Sequence, residues 1–234
     1  MGIFQNSVVA MGIGLSEINV ILKTKSVKQG GEIEGRIYLV NGKKRLEFES
    51  ISFELCVTTS TKQIVAIGQA PCVNSFILNE NNKRDIPFSI KVPIDAPLTK
   101  FMYLKTIFNI FTISEVKNKI KVYPSSDLEV ILNTLMKRFD FAQPNTEIYA
   151  VKGQLLQKFI FKPKTPNTYR KYLDELECYF FKVDGGIEMV MKMDKRGRNF
   201  KTVLKEVSIK DKNYKTIFIT PYDIVDTLEK YLIK

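Results

Sequence analysis

Three carboxylates, Asp174, Glu175 and Glu177, are the residues in this chain whose types and spacing first suggest chemistry. Neighbouring carboxylates can divide acid and base roles between them or help to hold a hard cation. Two runs of bases flank them. Lys158, Lys162, Lys164, Arg170 and Lys171 fall in 151–172, which holds no acid, and Lys195, Arg196, Arg198 and Lys201 open the run 195–215. Bases at this density attract phosphate-bearing partners or an anionic surface. Met189, Met191 and Met193 alternate along one segment and would suit a soft cation such as copper(I). Filling a core is the commoner use of methionine, and that reading is preferred.

Strand geometry weakens the catalytic reading of the carboxylates. On an extended chain Asp174 and Leu176 share one face, while Glu175 and Glu177 share the other. Two carboxylates make a poor hard-cation site. The three are therefore expected to form a structural charge cluster, pairing with bases such as those in 192–196. No catalytic residue, metal ligand or cofactor site is assigned. The nine bases are taken as a candidate surface for an anionic or phosphorylated partner.

The chain has no histidine. This removes His-based acid–base chemistry, Ser-His and Cys-His nucleophiles, and most transition-metal sites. Cys56, Cys72 and Cys178 show no CxxC spacing, and their odd number fits a reducing compartment. Asp184-Gly185-Gly186 reads as a turn, because no helix with a GK[ST] ending follows it. Gly12-Ile13-Gly14 precedes a strand, so the dinucleotide fingerprint is not met either.

The composition of the 234 residues, 44% hydrophobic and 26% charged, is ordinary for a globular protein. No apolar run reaches the roughly 18 residues that span a bilayer. The first base, Lys23, lies beyond the apolar opening, so the positive region of a signal peptide is missing, and a cytoplasmic protein is expected. The net charge is +11, spread as 16 bases against 10 acids up to Val122 and 20 against 15 beyond it. Phe159, Phe161, Tyr169 and Tyr172 lie among the bases, yet aromatics in strands are mostly core, so nucleic acid ranks behind a protein partner.

The elements that must position these residues are strands. Alternation at Ile18-Val20-Leu22, Ile33-Gly35-Ile37-Leu39, Ile51-Phe53-Leu55-Val57 and Phe88-Ile90-Val92, closing at Ile120 and Val122, predicts half-buried antiparallel strands. Gln29-Gly30-Gly31, Asn41-Gly42 and Glu80 to Lys83 mark turns, the second as a hairpin signal. Pro87 and Pro93 are expected to bound a short edge strand. Ser125 or Ser126 is placed to cap a helix with an apolar stripe Leu128, Ile131, Leu132, Leu135, Met136 and Phe139, ending by Pro144. Strands are then expected at 148–154, 157–161, 174–182, 187–194, 203–209 and 216–219. Thr220-Pro221 opens a final amphipathic helix with Ile224, Val225, Leu228, Tyr231 and Leu232 on its apolar face.

Several of these features fall in the order seen in one family. They are Met1-Gly2-Ile3-Phe4 to Gly12-Ile13-Gly14, Gly30-Gly31-Glu32-Ile33-Glu34-Gly35, the block from Pro87 to Pro97, and Leu173-Asp174-Glu175-Leu176-Glu177. In them the chain resembles the SpoOM-type sporulation-control proteins. The resemblance implies an all-β fold of two arrestin-like antiparallel β-sandwich domains, at 1–124 and 146–234, with a helical linker at 125–145 and a C-terminal helix. It also implies a non-enzymatic cytoplasmic regulator of sporulation or stationary phase that works through a protein partner. An arrestin-like adaptor, binding anionic ligands through the bases named above, is the alternative. Family members are often acidic, whereas this chain has a pI of about 9.4, so their partners need not carry over. Oligomeric state is left open.

Overall fold

The computed structural model describes residues 5–8, 15–110, 113–164, 173–195, 215–220 and 223–232. The chain divides into two compact units, Met1–Tyr123 and Pro124–Lys234. The fold is all-β, as expected.

In the first unit the described strands are β1 (Gln5–Val8), β2 (Leu15–Leu22), β3 (Ser26–Lys28), β4 (Glu32–Asn41), β5 (Leu46–Phe48) and β6 (Ser50–Thr58). They continue as β7 (Ile64–Val73), β8 (Phe76–Leu78), β9 (Lys83–Lys91), β10 (Met102–Asn109) and β11 (Ile113–Tyr123). One sheet has the order β1-β2-β4-β9, the other β3-β11-β10-β6-β7, and β5 pairs with β8. Pairing is antiparallel except between β3 and β11.

Alternation decides the layers. Along β4, Ile33, Ile37 and Leu39 are buried while Glu32, Glu34, Arg36 and Tyr38 are exposed, as a period of two requires. Ile18, Val20 and Ile90 from the first sheet share one core with Phe53, Leu104 and Phe108 from the second. Phe53 and Phe88 stack with ring centroids 4.5 Å apart. The unit is therefore a sandwich of two sheets.

Three local readings change. Pro87 does not bound its strand but sits within β9, opposite Arg36. The strand borders its sheet, the place where a residue lacking an N–H is tolerated. Asn41-Gly42 does not close a two-residue hairpin, because β4 pairs with β2 and β9. Instead the buried Asn41 amide lies 2.7, 2.9 and 2.8 Å from the carbonyls of Lys44, Leu78 and Asn79, tying two loops together. Gly35 is more than an alternating position. A Cβ there would stand 2.4 Å from Phe88 Cζ and 2.7 Å from the Ile21 carbonyl, so only glycine fits.

The second unit opens with α1 (Ser126–Asn133) and continues through a π-helical turn, Thr134–Arg138. Strands β12 (Asn145–Val151), β13 (Gln154–Phe161), β14 (Leu173–Val183), β15 (Gly186–Lys195) and β16 (Lys215–Ile219) follow, then α2 (Ile224–Leu232). The five strands form one antiparallel meander in sequence order. Of the two layers a sandwich needs, the described residues build this one, and the strand expected at 203–209 lies outside them.

Ser125 holds the N-cap position of α1 without a side-chain cap bond. The helix does not run on as α to Phe139. The N–H of Phe139 donates to Thr134 O at 3.1 Å, an i→i−5 bond, while Leu135 and Phe139 stay buried. Asp127 of α1 pairs with Lys182 of β14, and Arg138 stands 3.5 Å from Glu229 of α2. At the start of α2, Asp223 accepts from the Thr220 N–H at 2.9 Å and its hydroxyl at 2.7 Å, half of a capping box.

Candidate functional site

Those of the residues singled out for chemistry that the structure describes lie on or beside the sheet of the second unit. Its strands turn tightly. Lys152 and Gly153 join β12 to β13 with φ of 50° and 80°, the left-handed pair that a two-residue hairpin favours. This turn was not expected from the sequence, where a strand was drawn through Gln154. Gly185, at φ 78°, joins β14 to β15.

Register assigns the faces. Phe159, Cys178 and Met191 lie in one row across β13, β14 and β15, with Phe161, Leu176 and Met193 in the next. Met189 opposes Ile217, and Ile187 opposes Ile219. Phe159, Phe161, Leu176, Cys178, Met189 and Met191 are all buried, so the thioethers are packing material on a closed apolar face. Burial pushes the Cys178 thiol well above its usual range and also raises that of Cys56. The side chain of Cys72 lies outside the described residues.

A β-bulge alters the expected face of Asp174. The register slips between Leu173 and Glu175, so Asp174 is the extra residue. Leu173 and Leu176 are both buried and Asp174 is exposed, whereas simple alternation would have put Asp174 beside Leu176.

The opposite face carries the charges. Glu147 on β12 opposes Lys158 on β13, and Glu177 on β14 opposes Lys192 on β15. Lys158 Nζ stands 2.8 Å from Glu147 Oε2 and 3.8 Å from Glu177 Oε1. Lys162 reaches Glu175 at 2.9 Å, and Lys164 reaches Asp140 at 3.2 Å. The Tyr149 hydroxyl donates to Glu147 at 2.6 Å. Burial and this hydrogen bond push the Tyr149 pKa up to about 12. Burial opposes ionisation of Glu147, but its bonds from Lys158 and Tyr149 outweigh it and lower the pKa. The bond to Glu175 raises that of Lys162.

Two groups of residues that were read separately thus meet. Lys158 and Lys162, from the candidate anionic-partner surface, pair with Glu177 and Glu175, from the candidate charge cluster. Asp140, Glu147 and Tyr149 complete the network and were missed, because the Glu147–Lys158 register follows only once the turn at Lys152-Gly153 is located. Arg170, Lys171, Arg196, Arg198 and Lys201 lie outside the described residues, as does the side chain of Lys195. Among the described residues no three of the potential metal-ligating side chains gather around a common point. Nor is any helix of theirs long and apolar enough to cross a membrane.

The family model described as SpoOM protein matches residues 4–197. The chain belongs to the SpoOM protein family. It is 23% identical over 227 residues to "Sporulation-control protein spo0M" of Bacillus subtilis (strain 168), across 88% of this chain and 86% of that protein. It is also similar in fold to the crystal structure of that organism's Spo0M, with a TM-score of 0.73 at 20% identity over 91% of this chain and 93% of that one. In this SpoOM chain, Glu177 and Glu175 are paired with Lys158 on the neighbouring strand and Lys162 just beyond its end. Such cross-strand pairing stabilises a sheet without requiring a substrate.

Proposed function

We propose that the protein is a non-enzymatic regulator of sporulation or stationary-phase physiology, working in the cytoplasm by binding a protein partner. The observation that carries this reading is the end-to-end similarity to a protein named for sporulation control. The chain's chemistry agrees with it. A histidine-free sequence has few routes to catalysis, and its most suggestive carboxylates are engaged by lysines.

The adaptor reading, in which Lys158, Lys162 and Lys164 gather an anionic ligand, is weaker. These three lysines face Asp140, Glu147, Glu175 and Glu177, so the local charge is already compensated.

Deleting the gene in its natural host should alter the timing or yield of sporulation or of stationary-phase survival. Complementation by the full chain should restore it, and so should a Glu175→Gln, Glu177→Gln double variant. An unchanged deletion phenotype overturns the regulatory role. Failure of a folded double variant to complement would instead point to carboxylate chemistry.

A further inference from the structure

Four of the exposed large apolar side chains collect at one end of the first unit: Ile64 at 59% exposure, Phe101 at 57%, Ile94 at 46% and Tyr123 at 42%. Their neighbourhood follows from backbone bonds. Thr58, which opposes Ile64, donates its N–H to Phe101 O at 3.1 Å. Phe101 leads directly into β10, where Met102 opposes Ile120 and Tyr103 opposes Lys119, two strides before Tyr123. Tyr123 O accepts from Gln29 N at 2.9 Å, Gly30 N donates to Pro93 O at 3.3 Å, and the Ile94 side chain packs over Gly30.

Lysines stand between these apolar tips. Lys100 lies 5.2 Å from the Phe101 ring centre and Lys121 lies 4.6 Å from that of Tyr123. Lys119 shares the outward side of β11 with Lys121, about 7 Å along the strand. Lys62 is exposed in the turn before Ile64. None of these four lysines forms an ion pair with a carboxylate among the described residues. Across 58–64, 93–101 and 119–123 the single acid is Asp95. This contrasts with Lys158, Lys162 and Lys164 of the second unit, each of which meets a carboxylate.

We propose that this end of the first unit is a docking face for an anionic lipid bilayer. Phe101 and Ile64 enter the headgroup layer, Tyr123 lies at its boundary, and the four lysines face lipid phosphates. Aromatic and aliphatic tips ringed by lysines suit a bilayer, because lysine stems rest on apolar surface while their ammonium groups meet anionic headgroups. A protein partner fits less well, since lysine is depleted from protein interfaces. A lone phosphate would need donors converging on one point, and these lysines come from separate segments. The docking stands apart from the protein-partner reading above, and either can fail without the other.

Flotation of the full chain with two kinds of vesicle tests it: phosphatidylcholine alone, and phosphatidylcholine with about one-third phosphatidylglycerol. Binding is expected to the anionic vesicles only and should weaken as salt is raised. Phe101→Ser and the triple variant Lys100→Gln, Lys119→Gln, Lys121→Gln should each lower affinity by about ten-fold or more. A Lys162→Gln, Lys164→Gln variant should bind like the parent, and circular dichroism confirms folding of each protein. Absence of binding to anionic vesicles, or unchanged binding by the folded triple variant, overturns the proposal. So does capture of polyglutamate that is lost in the triple variant, kept in Phe101→Ser and unaccompanied by flotation, which would assign the face to an acidic protein.

Discussion

Gly35 lies directly opposite Phe88 on the neighbouring strand, and the ring occupies the space that any side chain at position 35 would need. The same ring stacks on Phe53 of the other sheet, so it cannot swing away without opening the core. Gly35→Ala should therefore cost about 1–3 kcal/mol by overpacking. Urea unfolding followed by circular dichroism measures the loss. Adding Phe88→Leu should recover part of it, and a double variant no more stable than Gly35→Ala alone would contradict this origin.

Thr106 offers the reverse case. Its hydroxyl is fully buried on β10 and has no hydrogen-bond partner among the described residues. Thr106→Val keeps the shape and removes an unpaired polar atom, so stability should be unchanged or rise by about 1–2 kcal/mol. A clear drop in the urea midpoint would mean that the hydroxyl is satisfied in solution.

Lys158 is the hub of the charge network, with its side chain only 17% exposed and two carboxylates within reach. Lys158→Met would remove the cation that Glu147 and Glu177 share. Because Glu147 remains 37% exposed, water moderates the penalty, and a loss of about 1–2 kcal/mol is expected at neutral pH. Adding Glu147→Gln and Glu177→Gln to that variant should restore much of the loss.

Tyr149 makes an alkaline prediction. Its pKa rises from 10.0 to about 12 on folding, because burial and Glu147 favour the neutral phenol. A raised folded pKa gives stability that is complete below the unfolded value and is lost as pH rises through the folded one. Stability should therefore fall between about pH 10 and 12, and less steeply in Tyr149→Phe. Glu147 acts at the other end. Its lowered pKa stabilises the fold above its ordinary value of 4.5, and this is lost as pH falls through the folded value. Unfolding midpoints across both ranges, for the parent, Tyr149→Phe and Glu147→Gln, provide the check.

Much of the architecture was legible in the sequence because alternation is a direct record of which side faces the core. Glu32 to Asn41 reads as an exposed–buried series and folds as one. Departures occur where tertiary contacts override local chemistry. Asn41-Gly42 looks like a hairpin, yet the Asn41 amide is used to join loops distant in sequence. Asp174 was put on the wrong side because a bulge shifts the register by one residue. The π-helical turn after α1 left no mark on the apolar stripe, most of whose residues are buried despite the change of winding. At the charge cluster the bases and acids were both visible, but their pairing depends on strand register. The turn that sets it, Lys152-Gly153, contains a lysine in a conformation that lysine rarely adopts.

Pro87 has a consequence beyond its own strand. The border of a sheet is a template onto which the backbone of another molecule can zip, the first step towards fibres. At the β9 border a ring replaces one of the hydrogens that an incoming strand would seize. Lys83, Arg84, Asp85 and Lys91 on the same strand add a desolvation penalty to any such encounter. Replacing this proline would thus matter less for how one molecule folds than for whether many molecules remain apart.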